Sequence, residues 1–267
     1  MLDIATLREL ERLLARVAER ELLPRFEHVR ARTKADGSLI TDADLGMQAR
    51  LFDELAARWP EIALLGEEMS DDRQLCLMDE CHRGLWVLDP LDGTSNFASG
   101  IPFFGVSLAL LSDGVIQAGV VLDPLRGESF SALRGQGAWL NGEPLRLSGE
   151  GPGLAQAMAM VDFKRLPAPL IERLARAAPY RSQRSFGSVA LDWCWLAAGR
   201  VQVYLHGGQK LWDYAAGSLV LHEAGGIGGL YEDFDEHPMS RLSLRPRIAM
   251  AATTAELFEA WRAWLGS

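Results

Sequence analysis

The sequence predicts an α+β fold of mixed α/β layers. Three observations carry this: an amphipathic helix opens the chain, a block of short β-type runs follows, and helices then alternate with strands to the end. The opening stretch MLDIATLRELERLLARVAERELLPRF sets Leu7, Leu10, Leu14 and Val17 near helical spacing and gives way at Pro24. Residues 33–40 read as a polar loop. Thr41 caps a second helix over 42–59, and 62–65 form a short strand running into Gly66-Glu67-Glu68. Residues 69–83, polar and charged, read as an exposed excursion before a buried strand at 85–88. From 103 to 148 the runs FFGVSLALL, VIQAGVVLD, SFSALR and GAWL are separated by Asp113-Gly114, 124–127, 135–137 and Asn141-Gly142. That punctuation predicts an antiparallel meander. Then come a strand at 158–161, helices at 167–177 and 189–198, a strand at 201–205, a helix at 213–223, a strand at 248–252 and a helix at 254–265. A soft division near Ser148 separates two halves, 1–148 and 149–267.

Composition narrows the function classes. At 267 residues, 48% hydrophobic and 24% charged, the chain has length for a sizeable core. The net charge of −9 without a basic stripe argues against a nucleic-acid surface. No apolar run is long enough to span a bilayer and the N-terminus lacks a signal-peptide pattern, so the expectation is a cytoplasmic protein without a membrane partner. Three cysteines make no disulfide framework. Cys76, Cys81 and His82 lack a fourth ligand and standard finger spacing, which argues against zinc.

The most informative stretch is Leu85-Trp86-Val87-Leu88-Asp89-Pro90-Leu91-Asp92-Gly93-Thr94-Ser95. Pro90 fixes φ and disfavours helix at Asp89, so two carboxylates stand on a rigid corner at a strand's carboxyl end, where α/β proteins bind ligands. Gly93 permits a positive φ, and Thr94 or Ser95 can cap a helix whose free N–H groups favour an anion. Hard oxygens beside such a helix start suit a divalent cation with phosphate; an Asp-rich turn with a capping threonine is the alternative. Further carboxylates stand at element ends: Asp44, Glu67, Glu68 and Asp213. Each has an ordinary explanation alone. Thr41 and Asp44 have capping-box spacing, Asp213 can be an N-cap, and Glu67-Glu68 a solvated turn.

The set TDAD (41–44), GEE (66–68), DPLDGT (89–94), WDYAAG (212–217) and EAGG (223–226) resembles the inositol monophosphatase family, within the lithium-sensitive, magnesium-dependent sugar-phosphate phosphatases. The resemblance runs from about residue 34 to 226. It implies a sugar-phosphatase fold layered α-β-α-β-α, with a metal-binding first half and a second half that completes the active site of one compact unit. It implies Mg²⁺ as cofactor. Glu67, Asp89 and the Leu91 carbonyl would hold one ion, and Asp89, Asp92 and Asp213 a second; a third, weaker ion would lean on Glu67 through waters. Gly93 and Thr94 amides, with Ser95 near them, would cradle the phosphate. Thr94, Asp44 and Glu67 would orient and deprotonate the attacking water. Lys34 would belong to a lid over the metals, where its other reading is a solvated loop lysine; Asp36 reads as a turn residue. A small phosphorylated substrate and a homodimer are also implied. Phosphomonoester hydrolysis is among the slowest uncatalysed reactions, and carboxylate-held metal ions address its charge problem without a histidine or cysteine nucleophile.

Ser95-Asn96-Phe97, ASGIPFFGVSLALL and ALRGQGAWLNGEPL look like the inositol-phosphatase branch rather than the branch acting on 3'-phosphoadenosine 5'-phosphate. The stretch 185–189 resembles a substrate loop that would contact the sugar through Gly187 and Ser188, with Asp213 also facing the substrate. One departure stands out. The family carries a glutamate shortly before the WD motif, and YLHGGQKLWD has Leu205 or His206 at that place. His206 is then a candidate substrate ligand, or a plain residue ending a strand. Three readings follow: a Mg²⁺-dependent phosphomonoesterase for inositol monophosphate or related small polyol or sugar phosphates; the same chemistry on 3'-phosphoadenosine 5'-phosphate or histidinol phosphate; and a non-catalytic regulatory protein on the same fold.

Overall fold

The computed structural model describes residues 2–26, 31–34, 37, 39–79, 84–234, 238–239 and 241–266. Helix α1 (Ile4–Glu21) buries the leucine stripe read from its spacing, and Asp3 caps it through the Thr6 N–H. Strands β1 (Ala31–Thr33) and β2 (Leu39–Thr41) pair antiparallel where the sequence predicts only a loop. Three-residue strands carry too little alternation to be read. Helix α2 (Asp42–Arg58) begins in a capping box of Thr41 and Asp44. After β3 (Ala63–Gly66) comes α3 (Asp71–Asp79), which corrects the excursion expected at 69–83. Leu77 and Gln74 are buried there, and the Gln74 amide donates to the Gly66 and Glu67 carbonyls. Of the possible zinc trio, Cys76 is exposed, while Cys81 and His82, like Asp36, lie outside the described residues.

Strand β4 (Leu85–Asp92) runs four residues beyond its predicted end. Pairing with the next strand resumes at Asp92 after an irregularity, and Pro90, which has no N–H to give the ladder, falls inside it. Helix α4 (Thr94–Ala98) precedes the four predicted strands of the meander, β5 (Gly105–Ser112), β6 (Val115–Asp123), β7 (Glu128–Leu133) and β8 (Gly137–Leu140), to which the structure adds a short β9 (Glu143–Leu145). The seven-stranded sheet has order β3-β4-β5-β6-β7-β8-β9, parallel at β3–β4 and antiparallel elsewhere. Asp113-Gly114 and Asn141-Gly142 make its tight turns with positive φ at both residues.

The second half contributes β10 (Met158–Asp162), α5 (Ala168–Ala177), β11 (Ser182–Arg184), α6 (Val189–Ala197), β12 (Val203–Gln209), α7 (Leu211–Glu223), β13 (Ile227–Tyr231), β14 (Arg247–Ala252) and α8 (Ala255–Leu265). Its sheet has order β11-β10-β12-β14-β13. β11 and β13 were not predicted, one being polar and the other broken by two glycines. Helices α1 and α2 cover the outer face of the first sheet, α6 and α7 lie between the sheets, and α5 and α8 cover the far side. The order of layers is α-β-α-β-α. The middle layer draws Val87 and Phe130 from the first half together with Leu191, Trp193, Leu219 and Ala251 from the second into one core. Small residues permit this. A Cβ on Gly119 would stand 2.7 Å from Ala216 Cα in α7, and one on Gly217 would stand 2.6 Å from Trp193 Cβ in α6. Among the described residues no helix is long and apolar enough to cross a membrane.

Candidate active site

The end of β4 brings Asp89 and Asp92 into the interior, where both are buried. Asp89 Oδ1 accepts from the Leu91 N–H at 3.0 Å. Gly93, not Thr94 or Ser95, occupies the N-cap position of α4, with φ +93°. A Cβ there would stand 3.2 Å from the carbonyl oxygens of both Gly187 and Phe103. Glycine is thus required twice, for the left-handed backbone and for the approach of the 187 loop. The Thr94 hydroxyl lies 3.0 Å from the Leu91 carbonyl and 3.2 Å from Asp44 Oδ1. Asp44 is buried at the start of α2, held by the Thr41 N–H and hydroxyl, so its capping role and its contact with Thr94 coexist. Asn96 donates to the carbonyls of Phe103 (2.7 Å) and Phe186 (2.6 Å), pinning the 186–188 segment against α4. Ser95 and Gly187 are exposed.

Asp213 arrives from the other half. It lies in the first turn of α7, whose N-cap is Lys210, and it accepts from the Lys210 N–H at 2.8 Å. Its neighbour Trp212 receives the Ser107 hydroxyl on its carbonyl at 2.9 Å, and Ser107 is the cross-strand partner of Asp89. Glu67 follows β3 and donates its N–H to the Leu88 carbonyl at 3.1 Å. Asp92 Oδ2 accepts from Ser188 Oγ (2.6 Å) and the Ala190 N–H (2.7 Å). The fully buried Ser188 hydroxyl is thus committed to Asp92, a different use from the sugar contact expected of it. Nothing local signals Ser107 or Asn96, because their partners are distant in sequence. Lys34 Nζ reaches Glu68 at 2.7 Å and Glu67 at 3.1 Å.

The electrostatics follow from burial. Desolvation raises Asp89 well above the usual carboxylate range, and the charges of Glu67, Asp92 and Asp213 push it further. Asp213 is raised for the same reasons, by burial and then Asp92 and Glu67. Asp92 is pushed up to about 6, burial outweighing the hydrogen bonds from Ser188 and from the Ala190 and Val189 backbone. Asp44 is raised by burial against the bonds from Thr41, and Glu68 reaches about 7 through burial despite Lys34. Burial lowers the Lys34 pKa, but Glu67 and Glu68 outweigh it and the net shift is upward. Among the described residues no three acidic, His or Cys side chains stand close enough to share an ion as they are. Asp92 is turned onto Ser188, and Glu67 onto Lys34. Yet Glu67, Asp89, Asp92 and Asp213 lie in one another's field, all with hard oxygen donors. That donor chemistry fits Mg²⁺.

Leu205 points into the outer core shared with α5 and α8 and so cannot face a substrate, whereas Tyr204 belongs to the inner core. Alternation puts His206 on the inner side with Tyr204. The ring is buried; Nδ1 accepts from the Gly208 N–H at 3.1 Å and Nε2 lies 3.7 Å from Asp162 Oδ2. Burial lowers its pKa to about 4, leaving it neutral with the proton on Nε2.

A sequence model described as the inositol monophosphatase family matches residues 3–262. The "Nus factor SuhB" of Haemophilus influenzae is 34% identical over 215 residues, covering 79% of this chain and 78% of its own. "Inositol monophosphatase 1" of Solanum lycopersicum is 34% identical over 201 residues, 73% of this chain and 72% of its own. The crystal structure of the extragenic suppressor protein suhB from Bartonella henselae superposes with a TM-score of 0.82 at 28% identity, over 98% of both chains.

Proposed function

The chain belongs to the inositol monophosphatase family, and from that premise we propose that it is a phosphomonoesterase that uses Mg²⁺ to hydrolyse inositol monophosphate or related small polyol or sugar phosphates. The observation that carries this reading is the gathering of the buried Asp89 and Asp92 with the partly exposed Glu67 and Asp213, from three separate elements, into one mutually repelling set. A retired site would be free to lose such carboxylates, since each weakens the fold without a cation. Glu67, Asp89 and the Leu91 carbonyl would hold one ion, and Asp89, Asp92 and Asp213 another. Bound Mg²⁺ supplies charge neutralisation and a lowered pKa for a coordinated water. Thr94, donating to Asp44, presents an oxygen to the attacking water, and the raised proton affinity of Asp44 suits it to take up the released proton. The first amides of α4, beyond Gly93, would receive the phosphate, with Gly187 and His206 toward the alcohol. Cytoplasmic residence and a homodimer belong to the same reading.

The test is phosphate release from a panel of monophosphates with Mg²⁺ and with EDTA. Release that requires Mg²⁺ supports the reading. The name "Nus factor" on several relatives favours a second one, a regulatory protein on the same fold. Absence of release from every compound in the panel would favour it.

A further inference from the structure

One corner of the second sheet adjoins the carboxylate set at Asp213. Strands β10 and β12 are parallel neighbours, so residues 163–165 after β10 and His206 to Lys210 at the end of β12 emerge at one edge, where α7 begins with Asp213 in its first turn. There the backbone of Arg165 lies directly on Gly207. A Cβ at 207 would stand 2.2 Å from the Arg165 carbonyl oxygen, and one at 208 would stand 3.0 Å from Arg165 Cδ. The glycine pair before Lys210 therefore admits Arg165, and any larger residue would displace it. The guanidinium is steadied by a 3.1 Å bond from Nη1 to the Gly208 carbonyl. That bond occupies one of its five N–H donors. Among the described residues no acidic side chain pairs with it. Its positive field is nonetheless felt at both His206 and Asp213.

Two further cations stand close by. Lys210 and Arg245 line a recess of about 280 Å³ in which Asp71 is the single acid among the described residues, and Pro246 of that recess comes within 3.7 Å of a Cβ on Gly208. In a chain of net charge −9, Arg165 thus brings positive charge to the edge that holds His206, Asp162 and Asp213. His206, neutral, does not repel an anion arriving there. A guanidinium steadied by a carbonyl and still holding free donors is matched to a carboxylate or phosphate fork.

We propose that Arg165 is a specificity-determining residue that binds a second anionic group, a carboxylate or a further phosphate, on the alcohol portion of the substrate. This rests on the phosphomonoesterase reading and names its substrate class: small polyol or sugar phosphates that carry one more negative group. The test is kcat/KM with Mg²⁺ on two pairs, glycerol 3-phosphate against 3-phosphoglycerate and glucose 1-phosphate against glucose 1,6-bisphosphate. The wild-type protein prefers the more anionic member of at least one pair, and Arg165→Met cuts that preference roughly ten- to a hundred-fold. The pair that responds identifies the group. No preference in the wild type, or an equal loss on both members of each pair in Arg165→Met, overturns the proposal; the second outcome would mean that Arg165 only offsets the charge of Asp213. If no compound is hydrolysed, the phosphomonoesterase reading has failed. The same ratios, measured as calorimetric affinities with Mg²⁺ present, then decide the role of Arg165 alone.

Discussion

Replacing Asp92 by asparagine should stabilise the metal-free protein near neutral pH and remove most of what Mg²⁺ adds. The hydrogen bonds to Asp92 from Ser188 Oγ and the Ala190 N–H end on Oδ2, so an asparagine carbonyl can accept these while the charge disappears. Burial pushes the Asp92 carboxyl up to about 6 from an ordinary 3.8. Because the folded pKa is the higher one, its contribution to stability is fully present below pH 4 and is lost as pH rises through 6. A rise of that size corresponds to about 3 kcal/mol at pH 8. Unfolding is followed in EDTA at pH 4 and pH 8, then in excess Mg²⁺. At pH 8 without metal, Asp92→Asn melts higher by roughly 2–4 °C per kcal/mol. At pH 4 the two proteins coincide. Saturating Mg²⁺ reverses the order, because the wild type gains binding energy that the variant lacks. A variant less stable than wild type at pH 8 in EDTA would refute the reasoning, since the charge would then be compensated in the fold.

Thr94→Ala and Asp44→Asn should each lower kcat about 10²–10⁴-fold with little change in KM, and the double variant should lose little more than either; fully multiplicative losses would leave Asp44 as a helix cap only. Ser188→Ala removes a buried bond to a carboxylate and should cost about 1.5–3 kcal/mol of stability in saturating Mg²⁺, together with weaker Mg²⁺ binding by calorimetry. A pure rise in KM with unchanged stability would instead return Ser188 to the substrate. Gly93→Ala, strained by its φ and by two carbonyls at 3.2 Å, should abolish phosphate release and lower the melting temperature; wild-type turnover in that variant would show that the α4 start does not hold the phosphate.

Local pattern was enough for much of this protein. The stripe of α1, the capping box of α2 and the Asp-Gly and Asn-Gly turns of the meander are each written in adjacent residues, because helix caps and hairpins are closed by groups one to four residues apart. DPLDGT was legible as a candidate cation site because such a site needs carboxylates at rigid element ends, which proline and glycine mark; WDYAAG joined it only through the family resemblance. Tertiary structure alone decided the rest. It made Asp71–Asp79, read as part of a surface excursion, into a helix docked on β3 through Leu77 and Gln74. It chose His206 over Leu205, since which face of β12 looks inward depends on the layers packed on each side. It set Ser188 on Asp92, Asn96 on Phe186 and Ser107 on Trp212, pairs separated by 96, 90 and 105 residues. It laid Arg165 on Gly207 and Gly208. Periodicity and caps report only what a residue does to its own segment; partners this distant meet only when the two sheets close on α6 and α7, and one-dimensional spacing holds no trace of that closure.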